Sequence, residues 1–89
     1  MSDATELPVP AEVRDGQKAV ELVRVWLVDG NQIVTISPSL WDDPATWGLL
    51  LVDLANHVAS AYAVQGLEKE AVLTRIKRAF DAEWDYPTA

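Results

Sequence analysis

Between Trp41 and Tyr62 the chain reads W-D-D-P-A-T-W-G-L-L-L-V-D-L-A-N-H-V-A-S-A-Y, a marked helix start leading into a segment that is apolar around most of its circumference. Asp43 supplies an N-cap acceptor, and Pro44 stands at the first helical position, where a missing N–H costs nothing. Asp42 adds an anion at the positive end of the helix dipole. In a chain of 89 residues a helix this apolar must be the organising core element or part of an interface. A chain of that size buries only about 60 to 65% of the surface it exposes when unfolded, so self-association would widen a thin stability margin.

The segments on either side define the rest of the fold. From residue 1 to about residue 17 the sequence is polar and acidic, with Pro8, Pro10 and Gly16 and no sustained period of 2 or 3.6. It reads as a mobile arm, and its two prolines cannot donate to a strand ladder. The following K-A-V-E-L-V-R-V-W-L-V and Q-I-V-T-I-S are rich in β-branched residues and flank D-G-N, a β-hairpin signature. Either Asp29-Gly30 or Gly30-Asn31 could centre the turn, and both choices place the same side chains on each face. Val23, Val25 and Leu27 share one face with Val34 and Ile36, the face expected to meet the helices. Arg24, Trp26 and Val28 share the other with Ile33, Thr35 and Ser37.

The first helix is expected to end near Gln65, with Gly66 as its left-handed terminal residue. A second helix from about Leu67 to Trp84 carries the stripe Val72, Leu73, Ile76, Phe80 and Trp84, with Glu83 as an acidic exception, and Pro87 stops it. A one-residue glycine hinge would leave the helices antiparallel or steeply crossed. The fold class is therefore α+β, in the order β-β-α-α, with a single domain over residues 18–87 and a two-stranded sheet that dimerisation could extend. Two strands alone are only marginally stable.

Composition narrows the function classes. Fourteen Asp and Glu against seven Lys and Arg give a net charge of -7, a field that repels phosphate backbones and anionic membranes, so neither nucleic acid nor membrane is an expected partner. The local cations Arg75, Lys77 and Arg78 are followed by Asp81, Glu83 and Asp85, as on a solvated, ion-paired helix face. There is no cysteine, which removes disulfides, thiolate metal sites and cysteine nucleophiles. The N-terminus has neither a basic nor an apolar signal region, so the expected location is cytoplasmic.

Candidate chemistry is confined to one stripe. Asp53, Asn56, His57 and Ser60 stand at i, i+3, i+4 and i+7 of the first helix, gathering its polar groups together. His57 is the sole histidine, and a carboxylate one turn earlier would favour its protonated form, as in a proton carrier or pH switch. Three residues on successive turns of a straight helix cannot converge as a Ser-His-Asp triad must, and Ser60 has no nucleophile elbow. No metal set and no cofactor signature accompanies the stripe. A solvated stripe, or one facing its symmetry mate, is the plainer reading. Trp26, Trp41, Trp47 and Trp84 are spread over strand, loop and both helices, as for one shared aromatic cluster, and Trp26 and Trp41 could anchor an interface. Gly48 costs about 1 kcal/mol relative to alanine inside a helix, which suggests close approach of the hairpin or a partner helix there.

The runs R-V-W-L-V-D-G-N from Arg24, W-D-D-P-A-T-W-G-L-L-L-V-D-L-A-N-H-V-A-S-A-Y from Trp41 and I-K-R-A-F-D-A-E-W from Ile76 resemble a family of short bacterial proteins, the domain of unknown function 5076. The likeness spans about residues 18 to 87. It matches a D-P-x-x-W-G helix start at Asp43 to Gly48, a D-x-x-x-H pair at Asp53 and His57, and a closing F-D-x-E-W at Phe80 to Trp84. The resemblance supports the domain and brings no activity with it.

The leading expectation is a small non-enzymatic module that forms a homodimer and presents a surface to another, unidentified protein. Its interface candidates are Trp26, Val28, Ile33, Trp41, Trp47 and Gly48. The alternative is a small-ligand binder or weak acid-base enzyme using a pocket near His57 and Asp53.

Overall fold

A computed structural model describes residues 3–16 and 18–88. The elements run α1 (Ala11–Arg14), β1 (Val23–Val28), β2 (Asn31–Ile36), α2 (Ala45–Val64) and α3 (Lys69–Asp85). The fold is α+β, an antiparallel hairpin followed by two helices. The chain divides between Leu40 and Trp41 into two compact units, one holding the hairpin and the other the helix pair.

Of the arm expected over residues 1–17, residues 1, 2 and 17 lie outside the described residues. The rest is not devoid of structure: Pro10 opens the single turn α1, its carbonyl accepting from the N–H groups of Val13 and Arg14 at 3.0 and 3.3 Å. One turn is too short to leave a readable period.

In the hairpin, Asp29 (φ 49°) and Gly30 (φ 81°) occupy the two central turn positions. Two consecutive positive φ values define a type I′ turn, whose twist suits the strands it joins, and this selects Asp29-Gly30 over Gly30-Asn31. The register follows: Val28 opposite Asn31, Trp26 opposite Ile33, Val25 opposite Val34 and Val23 opposite Ile36. The two faces are those expected from the sequence, and Ser37 N–H donating to the Leu22 carbonyl at 2.9 Å carries the ladder one step further. β1 half-buries Val23 and Trp26, whereas every residue of β2 is exposed.

The helical unit begins as its sequence dictates. Asp43 Oδ1 accepts from Ala45 N–H at 3.0 Å while Pro44 already has helical backbone angles. At the far end Gly66 takes φ 98°, Gly66 N–H donates to the Ala63 carbonyl, and Leu67 N–H reaches back to Tyr62 at 3.2 Å. These two bonds are the Schellman pattern that satisfies the last orphan carbonyls of a helix.

The link between the helices is longer than a one-residue hinge. α3 starts at Lys69, because Glu68 acts as its N-cap: its carboxylate accepts from Glu70 and Ala71 N–H at 3.2 and 2.9 Å. Glutamate is outside the usual N-cap set, so sequence pattern placed the start two residues early. α2 and α3 pack on each other. Among the described residues Ala59 alone is fully buried.

Candidate functional site

The polar stripe sits where its spacing puts it, on one side of α2, and its members mainly serve the helix that carries them. Asn56 Nδ2 donates to the Val52 carbonyl at 3.0 Å. His57 Nδ1 lies 2.8 Å from the Asp53 carbonyl and 3.5 Å from Asp53 Oδ2. Both the His57 and Asp53 side chains are largely exposed, at 73 and 67%. Ser60, also exposed, extends the stripe by one turn. An ion pair in that setting is worth less than about 1 kcal/mol and is screened by salt. No three His, Cys, Asp or Glu side chains among the described residues gather as a metal would require.

A more distinctive surface is an apolar trough of about 1050 Å³ within the helical unit. Trp47, Gly48, Leu51, Val52 and Ala55 of α2 form one wall, and Leu73, Ile76, Phe80 and Trp84 of α3 form the other. Lys77, Arg78 and Asp81 stand along it, with Lys77 Nζ 2.7 Å from Asp81 Oδ2. An apolar floor with a charged margin is the usual anatomy of a protein interface. From the polar stripe only Asn56 reaches this trough; Asp53, His57 and Ser60 do not line it.

The tryptophans do not gather into the one cluster expected of them. Trp41 meets Trp47 edge-on, with ring centroids 5.1 Å apart and planes at 70°, an arrangement favoured by the ring quadrupoles. Trp84 instead stacks on Phe80 at 5.6 Å, one turn earlier on α3, while Trp26 belongs to the hairpin unit. Trp41 and Trp47 are half-buried, whereas Trp84 is 73% exposed. At Gly48 a built Cβ would meet no atom of the helical unit within 4 Å beyond its chain neighbours and its own helix backbone. The packing of α3 on α2 therefore does not account for that glycine. On the hairpin, Val28 and Ile33 are exposed and Trp26 is half-buried.

Glu83, the acidic exception on the α3 stripe, has a structural use that its position alone did not reveal. Thr88 donates to it twice, from the hydroxyl at 2.7 Å and from the backbone N–H at 2.6 Å, which folds Thr88 back on the helix end. Both bonds favour the carboxylate, the hydroxyl's more strongly, and hold Glu83 below the ordinary glutamate range. A depressed carboxylate contributes stability above its unfolded pKa, and that stability is lost as pH falls through the folded value. Thr88→Ala should move Glu83 part of the way back towards an ordinary glutamate, as read by carbon-detected NMR titration of its side chain. An unmoved titration would remove the hydroxyl from the explanation.

Among the described residues no helix is long and apolar enough to cross a membrane. No curated protein matches the chain. Among solved structures it is similar to a "putative pyruvate dehydrogenase" from the photosynthetic bacterium Rhodopseudomonas palustrus CGA009, with 34% sequence identity, a TM-score of 0.79, and coverage of 100% of this chain and 92% of that one. The D-P-x-x-W-G helix start, the Asp53 and His57 pair and the closing F-D-A-E-W all lie within residues 6–88, over which the family model matches, and the chain belongs to the family described as Domain of unknown function (DUF5076).

Proposed function

We propose that this chain acts as a non-enzymatic homodimeric interaction module. The observation that supports the reading is the state of its apolar side chains. With Ala59 alone fully buried among the described residues, Val25, Leu27, Val34 and Ile36 on one face of the hairpin are each more than half exposed. Leu49, Val52 and Trp84 of the helical unit are too. Burial of apolar area is worth about 25 cal/mol per Å², so surface left in water on this scale is stability forgone by the single chain and available to an association. Contiguous exposed apolar patches of this kind mark interaction surfaces in soluble proteins.

The rival reading, a ligand site or weak acid-base centre at His57 and Asp53, has less support because neither residue lines the trough and both are mostly in water. The related protein's name speaks of pyruvate oxidation, chemistry that needs a bound cofactor and groups to hold it. The residues here do not fit such a group: no polar side chain is buried, and no metal-ligating cluster exists among those described. That activity is not carried over.

Multi-angle light scattering across a micromolar concentration series tests the module. The expected particle has twice the 9.8 kDa chain mass and dissociates on dilution. A 9.8 kDa particle at high micromolar concentration would overturn the reading.

A further inference from the structure

We infer that the free edge of β2 pairs antiparallel with β2 of a second copy, centred on Val34, to make one continuous four-stranded sheet. This rests on the homodimeric reading above and says which surface makes it. The ladder bond from Ser37 to Leu22, together with the register, fixes the alternation of the hairpin. Residues 24, 26 and 28 exchange bonds with 35, 33 and 31, and the N–H and C=O groups of Gln32, Val34 and Ile36 therefore point away from β1. Among the described residues no backbone bond outside the hairpin uses them.

The two edges are not equivalent. β1 carries Arg24, paired with Glu21 at 3.0 Å and Glu6 at 3.8 Å, and half-buries two of its residues. β2, Asn-Gln-Ile-Val-Thr-Ile, has no charge and no proline, its register with β1 has no bulge, and every residue is exposed. Those missing features are the devices by which proteins keep an edge strand from pairing, so β2 is the edge left open.

A second copy is the occupant because the edge complements itself. With Val34 opposite the partner's Val34, Gln32 lies opposite the partner's Ile36, and the outward groups of all three residues are satisfied at once. An uncharged strand meets its mate without like-charge repulsion although each chain carries -7. Across the two-fold, Val25 and Val34 run on into the partner's Val34 and Val25, giving one apolar row over four strands. Four strands with an apolar face exceed the minimum for independent stability that two do not reach.

Amide hydrogen exchange on the unaltered protein, joined to Val34→Pro, decides the matter. In the dimer the Gln32, Val34 and Ile36 amides should exchange at least about tenfold more slowly than free peptide, while Val23, Val25 and Leu27 on the opposite edge stay fast. Proline at 34 removes a donor that β1 does not use, so the hairpin should persist while the dissociation constant rises by at least about tenfold. A particle of doubled mass with fast exchange at 32, 34 and 36, with protection on the β1 edge instead, or with affinity unchanged by V34P, overturns the strand pairing and leaves the module standing. Protection at 32, 34 and 36 that appears only on adding an unrelated protein also overturns it. A single-chain mass overturns the module itself. Should V34P fail to fold, the exchange pattern of the unaltered chain still decides.

Discussion

Replacing Ala59 by aspartate should cost about 3 kcal/mol or more, because it puts an unpaired charge where water does not reach. Among the described residues Ala59 is the one with no exposure, and it lies in the second turn from the end of α2. Nothing in its surroundings is a buried polar group that could pair with a carboxylate. For a domain of this length each kcal/mol corresponds to about 4–8 °C in melting temperature, so the midpoint should fall by roughly 12 °C or more. Circular dichroism at 222 nm would follow it. Two controls separate charge from volume. Ala59→Gly should cost about 1 kcal/mol through helix propensity alone, and Ala59→Leu about 1–3 kcal/mol through overpacking. A midpoint for Ala59→Asp no lower than that of Ala59→Gly would mean the site is open to water, and the close packing at Ala59 would be wrong.

How far the fold could be read from sequence depended on whether a feature was local. Asp43-Pro44 and Gly66 work through bonds to residues within five positions, and they mark the ends of α2 where the pattern puts them. The hairpin was legible for the same reason, and its register needed only the sign of φ at Asp29. Less was legible where a side chain found a use that its type does not advertise. Glu68 caps α3 and Glu83 clasps Thr88, and both are glutamates whose type and spacing announce neither use. Aromatic partnership was hidden because it depends on geometry: Trp84 takes Phe80 rather than another indole. The polar stripe was found where spacing placed it, yet the trough beside it was not anticipated. Periodicity identifies an apolar face but does not say what part of that face a second helix leaves uncovered.

Gly48 shows how the two kinds of information combine. A glycine inside an exposed helical turn normally signals a neighbour too close for a methyl group. Apart from its chain neighbours and the backbone of its own helix, no atom of the helical unit would come within 4 Å of a Cβ at this position, and the residue lines the trough between α2 and α3. Its helix-weakening cost therefore has no compensation from packing within the helical unit. The association proposed above would supply that surface from another molecule, and Leu49 and Val52 on the same helix are exposed as it requires.

Gly30→Val should abolish the hairpin. Gly30 holds φ 81° with Asp29 at 49°, and the turn exists only while both stay positive. Valine there would set its branched Cβ against the following carbonyl at a cost of about 1–2 kcal/mol or more. A two-stranded ribbon has no such reserve of its own. The loss would be visible in the Val25 to Val34 pair, which lies between ladder bonds and brings the two Hα atoms close. Their cross-strand Overhauser contact should vanish in Gly30→Val and survive in Gly30→Asn, since asparagine tolerates the left-handed region. Because β2 loses its extended partner at the same time, the strand-paired dimer proposed above should be lost with the hairpin in the valine variant and kept in the asparagine variant. Persistence of the Val25 to Val34 contact with valine at position 30 would show that something other than the turn sets the register, and the role assigned to Asp29 and Gly30 would fail.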